Sequence, residues 1–472
     1  MFFLLIFLVF SLKGLSFAIN TQHIQIGSQT FFISPHKTFI FYKSNFYPNR
    51  EIFLSPNNYL EVLSQELSSS DFSISEDQTM RDTYFYKQWY LDFLKVPTSW
   101  PYSQGEGVIV AILDTGIDLE HQDLKSNIWK NKNEDWLDEE TPGYNGLDDD
   151  GNGIIDDYYG YNAIENTGNV QDNNGHGTAI AGIISAACNN WGICGIAPRA
   201  IILPIKVLNQ YGSGYISDVL KGISYALEIK KLSHLPMVFN LSWAIYDADE
   251  PLLEAIRALL EENIIFVNSA GNDHLNLENY PLYPACYNLK NVIVVTSVNQ
   301  DGDLSTFANY GIEYVDIAAP GENIFTCDLN NNFRFISGTS FAAANVSGIA
   351  ALLFSLSPHL LATQIKDLLW TSCIKKEELS SFIYQGCVAN AYRSIYNLLS
   401  NNPGDINGDY EISIIDALLL ARLILTSKES IDLLIGDINC DTKIDIIDAL
   451  LIARYALRLP LAGWCKQYSF SH

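Results

Sequence analysis

Positive charge is scarce in this chain. Lysine and arginine number 28 against 54 aspartate and glutamate, for a net charge of −26. That balance argues against nucleic acid and anionic membrane as partners. Long apolar runs are missing too: after residue 18 no stretch reads as the roughly 18 to 20 apolar residues that a spanning helix requires. What is present is ample material for a core, with 48% hydrophobic content over 472 residues, enough for one large domain and a smaller one.

The first 18 residues are the exception to the second absence. Met1 to Ala18 form an apolar run ending in Ser16-Phe17-Ala18, small residues at the spacing of a signal-peptidase site. A secretory signal and an extracellular or cell-surface location are expected. No basic residue precedes the run and Lys13 follows it, so an uncleaved anchor is the alternative, and only then would the chain touch a membrane. Eight cysteines in an exported chain suit disulfides. Cys188 and Cys194, Cys373 and Cys387, and Cys440 and Cys465 are near neighbours in sequence, leaving Cys286 and Cys327. The pairing stays open, as does the reading of all eight as buried thiols.

From Ile19 to about Thr83, short strand-like runs such as Thr30 to Ile33 and Thr38 to Tyr42 give way to a Ser/Glu/Asp-rich link at Ser64 to Asp77. This reads as a small module and a tether. Beyond it, buried-strand runs recur between helical patterns: Val108 to Leu113, Ile201 to Val207, Met237 to Leu241, Ile264 to Val267 and Val292 to Val295. Such alternation implies an α/β fold, a doubly wound and mostly parallel sheet with helices on both faces. Reactive groups in these folds collect beyond the carboxyl ends of the strands.

Asp114 sits at that kind of strand end, followed by Thr115-Gly116; its bland role would be turn former or helix cap. His176 lies between Gly175 and Gly177 and opens a run of small residues from Ala179 to Ala187, so the backbone can bring the imidazole close to other groups while a helix holds it. Asn272 ends the Ser269-Ala270-Gly271-Asn272 turn after a buried strand. Its amide can donate to a developing oxyanion, or do backbone work only. Ser340 follows Gly338-Thr339 and precedes the apolar run Ala342 to Leu352. In the first helical turn, free N–H groups and the helix dipole favour negative charge; an N-cap is the plain alternative. Asp148, Asp150 and Asn152 alternate in a glycine-containing loop that continues to Asp156 and Asp157, a spacing that lets oxygens converge on calcium or merely decorates a solvated surface.

Together, Asp114-Thr-Gly, Gly175-His176-Gly-Thr, Ser269-Ala-Gly-Asn272 and Gly338-Thr-Ser340 resemble, in that order, the motifs of the subtilisin-like serine proteases. The resemblance covers roughly Tyr84 to Leu398 and implies roles. Ser340 would be the nucleophile, His176 the general base and then acid, and Asp114 the imidazole's orienting partner. Asn272 and the Ser340 N–H would form the oxyanion hole. Ser242, Trp243 and Ala244 look like the family's edge strand for an extended substrate, with Ala270 and Gly271 beside them. Residues 19–83 become a propeptide with its link, an intramolecular partner removed from residues 84–398. Three residues depart from the family pattern: Ala244 stands for the usual Gly, Phe341 for Met, and Ala344-Asn345 for Pro-His. Phe341 cannot form a sulfoxide.

After a polar link at residues 399–404 the chain repeats itself. Asp405, Asn407, Asp409, Glu411, Ser413 and Asp416 recur at a constant offset as Asp437, Asn439, Asp441, Lys443, Asp445 and Asp448. Side-chain oxygens at loop positions 1, 3, 5, 9 and 12, with a backbone carbonyl at position 7 (Glu411, Lys443), fit an EF-hand-like Ca2+ loop followed by a helix. The pair resembles a type I dockerin over residues 405–460, ahead of a tail at 461–472. In that family the residues before the final Asp help to read a cohesin-bearing partner; here they are Ile414-Ile415 and Ile446-Ile447. A calcium-stabilised tail without a partner is the other possibility. The expected protein is a secreted, calcium-dependent endopeptidase made as a zymogen and acting on proteins or peptides. A catalytically silent scaffold docking through its repeat is the alternative.

Overall fold

The computed structural model describes residues 23–26, 29–33, 40–42, 52–53, 82–134, 145–400, 414–426 and 444–457. Residues 1–18, read as a signal, lie outside them. The chain divides into two units, Met1–Met80 and Arg81–His472. In the first, β1 (His23–Ile26), β2 (Gln29–Ile33), β3 (Ile40–Tyr42) and β4 (Ile52–Phe53) form an antiparallel sheet in chain order. Both strand-like runs expected there become strands, β2 and β3.

In the second unit the run ending at Asp114 becomes β5 (Ile109–Asp114), buried along its whole length. A strand covered on both faces has no wet side, so its sequence is uninterrupted apolar instead of alternating. The elements that follow are β6 (Tyr161–Asn162), α1 (His176–Ser185), β7 (Ile201–Lys206), α2 (Ile216–Ser233), β8 (Met237–Leu241), α3 (Glu250–Glu261), β9 (Ile265–Ser269), β10 (Val292–Val298) and β11 (Ile317–Pro320). A hairpin, β12 (Ile324–Asp328) and β13 (Asn332–Ile336), leads into α4 (Thr339–Leu356). Then come α5 (Ala362–Ser372), β14 (Ile374–Lys375), β15 (Cys387–Val388) and α6 (Ala391–Ser400). The last helix takes in residues 399 and 400, which the sequence reading places in the linker.

The sheet order is β14-β15-β11-β10-β9-β8-β5-β7-β6, parallel throughout except for β14 at the edge. The expected doubly wound α/β architecture is therefore what forms. From β5 the chain fills one side with β6 and β7, then crosses back to build β8 through β11. Thus β5 lies at the switch point, where the carboxyl ends of neighbouring strands leave a crevice, and its last residue is Asp114.

On one face Ile109, Ala111 and Leu113 of β5 share a core with Val219, Ile223, Leu252 and Ile256 of α2 and α3. Each fully buried aliphatic side chain there contributes about 1.5–3 kcal/mol of transfer free energy. On the other face α1 packs against α4, and α4 lies along β8 to β11. Small residues let it approach closely: a Cβ on Gly348 would stand 2.5 Å from Cβ of Ile196. By length and composition α4 could cross a membrane, which corrects the expectation that no stretch after residue 18 is so apolar. It is instead a core helix, with nearly every residue buried.

Cys188 is bonded to Cys194 and Cys373 to Cys387, while Cys286 and Cys327 are free thiols. Cys440 and Cys465 lie outside the described residues. In the repeat region α7 (Ile414–Thr426) and α8 (Ile446–Ala456) pack together. They bury the same repeat positions, Ala417 with Ala421 and Ala449 with Ala453.

Candidate active site

Asp114 is 1% exposed at the end of β5, and one of its oxygens accepts the Thr115 N–H at 2.7 Å. Across from it, His176 is the first residue of α1, after Gly175 at a left-handed φ of +96°. The imidazole Nδ1 lies 2.8 and 2.9 Å from the two Asp114 oxygens. A carboxylate only accepts, so Nδ1 carries the proton and Nε2 keeps the lone pair. The turn that aims the ring is capped by Asp172, a residue that reading the motifs alone missed. Its oxygens accept from the N–H groups of Asn174, Gly175 and Thr178 at 2.9, 3.0 and 3.1 Å and from the Thr178 hydroxyl at 2.7 Å. An Asp four residues before the His, just ahead of a helix, was the signal available.

Burial opposes protonation of His176, as does the Arg334 charge. The Asp114 carboxylate with its hydrogen bond, helped by Asp172, outweighs both and raises the imidazole pKa above its ordinary 6.5. A general base must be neutral, so activity should rise with pH along an acid limb whose midpoint lies above 6.5. In Asp114→Asn the midpoint should fall, because the group that raises it has lost its charge. A kcat/KM profile over pH 5 to 9 checks this, and an unshifted midpoint in the variant would contradict it.

Ser340 is the second residue of α4. The next residue, Phe341, packs its ring 5.5 Å from that of His176, so the first turn of α4 adjoins the imidazole. The Ser340 hydroxyl donates to the Ser242 carbonyl at 3.2 Å and not to the imidazole. Rotation about one bond redirects it, and such bonds are commonly loose without substrate. Asn272 accepts from the Thr339 N–H at 2.8 Å and from the Thr339 hydroxyl at 3.0 Å, both at Oδ1. Those two bonds fix the orientation of the amide and leave Nδ2 free to donate. The Thr339 hydroxyl is itself held by the Gly271 N–H at 3.1 Å.

Ser242 is buried, Trp243 half-buried and Ala244 exposed just beyond β8, as an edge open to an added strand would be. Ala270 and Gly271 differ. Ala270 donates to Val295 and accepts from the Asn309 amide. Gly271 donates to Thr339 and accepts from the Asn309 N–H. These two shape a wall and have no main-chain group to spare. Of the family departures, Asn345 is fully buried and donates to the carbonyls of Pro320 and Phe341, so it lies behind the cleft. Phe341 is 2% exposed.

In the acidic loop the carboxylates that converge are not all those the spacing suggests. The Asp148 oxygens accept from the N–H groups of Gly151, Asn152 and Gly153, and Asp156 accepts from those of Asn145 and Gly146. Both hold the loop in shape, and the Asn152 amide donates to Asp150 and Asp157. One oxygen each from Glu134, Asp150 and Asp157 lies within 4.8 Å of the others. Glu134 is 1% exposed; its Oε1 accepts two N–H groups at 3.0 Å and its Oε2 has no partner. Burial, with nearby carboxylates adding, pushes the pKa of Glu134 and of Asp157 up. The ion pairs among the described residues include none of the three.

A second pair, Asp82 and Asp123, is pushed up to about 6 and about 7, chiefly by burial. Both carboxylates are bonded to N–H groups of the segment that the Cys188–Cys194 disulfide closes, at Asn190 and Ile193. In the group around Glu134 an orphaned buried oxygen and a costly negative charge fit a hard cation. Of the repeat ligands, Asp405, Asn407, Asp409, Glu411, Ser413, Asp437, Asn439, Asp441 and Lys443 lie outside the described residues. Asp416 and Asp448 are buried near the starts of their helices, and Asp448 accepts the Asp445 N–H at 2.9 Å.

A parallel sheet with an Asp–His pair at its switch point, a serine opening the helix alongside and an amide oriented by that helix's first residue defines a class of protein, the subtilases. Residues 105–388 match the subtilase family and residues 403–457 the dockerin type I domain. The chain belongs to the subtilase family and carries a dockerin domain. It is 30% identical to subtilisin-like protease 1 of Plasmodium berghei (strain Anka), over 73% of this chain and 59% of that one. It is 33% identical to an intracellular serine protease of Paenibacillus polymyxa, over 64% and 86%. Thermitase of Thermoactinomyces vulgaris is 30% identical, over 67% and 99%. The chain spans about half the length of the Plasmodium relatives it matches.

Proposed function

We propose that this chain is a secreted serine endopeptidase, made as a zymogen, with a calcium-binding tail that docks on a cohesin-bearing protein. The observation that carries the peptidase reading is the Asp114–His176 pair set beside the first turn of α4, with the Asn272 amide locked so that Nδ2 faces outward. The Ser340 hydroxyl, turned from Ser242 toward Nε2, attacks the scissile carbonyl as His176 takes its proton. Asp114 stabilises the imidazolium, and Asn272 Nδ2 with the Ser340 N–H receives the oxyanion. His176 then hands the proton to the leaving amine, and water repeats the cycle on the acyl-enzyme. A fluorophosphonate probe should label the processed protein and not its Ser340→Ala variant. Absence of labelling, alongside labelling of a known subtilase, overturns the reading and leaves a docking scaffold. The separate unit within Met1–Met80 supports a propeptide, and N-terminal sequencing of the secreted form tests it.

Calcium supplies positive charge that neutralises buried carboxylates; Glu134, Asp150 and Asp157 would hold one ion. A hundredfold excess of free calcium over Kd adds about 2.7 kcal/mol per site. Calcium should therefore raise the melting temperature by several degrees over chelator, and less so in Glu134→Gln. Equal calcium responses in the two proteins, measured by calorimetry, would remove Glu134 from the set. For the tail, Ile415, Ile446 and Ile447 are exposed at the helix starts, which supports a partner with an apolar patch. Calcium-dependent capture by a cohesin panel is expected, and capture that ignores chelator counts against docking.

A further inference from the structure

The hairpin that delivers α4 to the active site carries one cation toward the cleft. In β13 successive side chains alternate, so Arg334 and Ile336 share a face and Phe335 takes the other. Arg334 Nη2 donates to the Gly175 carbonyl at 3.1 Å, one residue before the imidazole. Its Nε makes no hydrogen bond but is ion-paired with Asp328 Oδ1 at 3.6 Å, an oxygen that also accepts the Leu329 N–H at 2.9 Å. Among the described residues Nη1 makes no hydrogen bond, and about a third of the side chain is exposed. The other carboxylate near the imidazole, Asp172, is saturated by four donors. Lys206, a nearby cation, is buried and donates to the Thr115 carbonyl.

We propose that Arg334 binds a carboxylate borne by the first or second residue after the scissile bond, so that the enzyme prefers Asp or Glu there. This rests on the serine-peptidase reading. A substrate that adds as a strand to Ser242–Ala244 reaches Ser340 from the β8 side. Its leaving nitrogen must meet His176 Nε2, so the chain beyond it passes the imidazole and runs over Gly175 and the β12–β13 hairpin. Arg334, held against the Gly175 carbonyl, flanks that path, and a guanidinium offers a carboxylate a charge-assisted, forked bond. In a chain of net charge −26, an accessible guanidinium at the cleft contrasts with the prevailing field.

The test uses full-length processed enzyme and quenched peptides identical except for Glu, Gln or Lys at the two positions after the cut. A p-nitroanilide with the same acyl side has no side chain beyond the leaving amine. Wild type should favour Glu over Lys by about tenfold or more in kcat/KM, less so at high salt because Arg334 is partly solvated. Arg334→Gln should bring the ratio near one and Arg334→Glu should invert it. Equal ratios in wild type and both variants, with the p-nitroanilide still hydrolysed, overturn the proposal. A wild-type enzyme that leaves the p-nitroanilide uncut overturns the peptidase reading itself, and this inference with it.

Discussion

Ser340→Ala is expected to lower kcat by roughly a million-fold, the size of loss that follows removal of the nucleophile from a triad enzyme of the subtilisin type. Nothing in the site can replace the hydroxyl: Thr339 is fully buried and its hydroxyl is committed to Asn272 and Gly271. Residual turnover should stay roughly 10^3 to 10^4-fold above the uncatalysed rate, because oxyanion stabilisation survives. The triad acts as one device, so adding His176→Ala to the serine variant should cost little more. Asn272→Ala should behave differently, losing about 10^2 to 10^3 in kcat with KM nearly unchanged, since its amide meets charge that exists only in the transition state. Steady-state kinetics on one peptide substrate reads all four proteins. Near-normal kcat in Ser340→Ala would end the peptidase interpretation, and a purely KM effect of Asn272→Ala would end the oxyanion role.

What could be read from the chain in advance was whatever is local. The uninterrupted run before Asp114 announced a strand buried on both faces, and the small residues after His176 and Ser340 announced helices that lie tightly on a sheet. What could not be read depends on segments meeting. Glu134 comes well before Asp150 in sequence and lies in an acidic run of its own, with Asp135, Asp138, Glu139 and Glu140; only the folded loop joins it to Asp150 and Asp157. Asp148 and Asp156, expected from the spacing as ligands, also accept the N–H groups of a short glycine-rich loop, a role that the spacing does not reveal. Likewise the main chain of Ala270 and Gly271 is occupied by Asn309, which arrives from beyond β10. Hydropathy has the same limit at α4, where a helix buried in protein and one buried in lipid have the same composition.

Gly177→Ala tests whether the reach from α1 to β5 is the quantity on which chemistry depends. A Cβ at residue 177 would lie 2.2 Å from the Gly116 carbonyl oxygen and 3.2 Å from Cβ of Asp114. The backbone on both sides is fixed, since Gly177 donates to the Thr115 hydroxyl at 3.0 Å and Ile117 donates to the Val170 carbonyl at 3.0 Å. The start of α1 must therefore retreat, and the imidazole goes with it. A shift near 1 Å can cost about a hundredfold in rate, so kcat/KM should fall by about that factor. The acid limb should also slide down, because the carboxylate that raises the His176 pKa is farther away. Overpacking alone typically costs about 1–3 kcal/mol, which makes stability a poor discriminator. Gly182→Ala supplies the contrast, for its new Cβ would meet the Thr326 hydroxyl at 2.6 Å and Cys327 Sγ at 2.8 Å, about one and a half turns along the same helix. Both variants should melt a few degrees early, yet only Gly177→Ala should lose activity per folded molecule and shift its pH profile. Equal activity losses would mean that α1 serves as packing and that the aspartate–histidine distance does not set the rate.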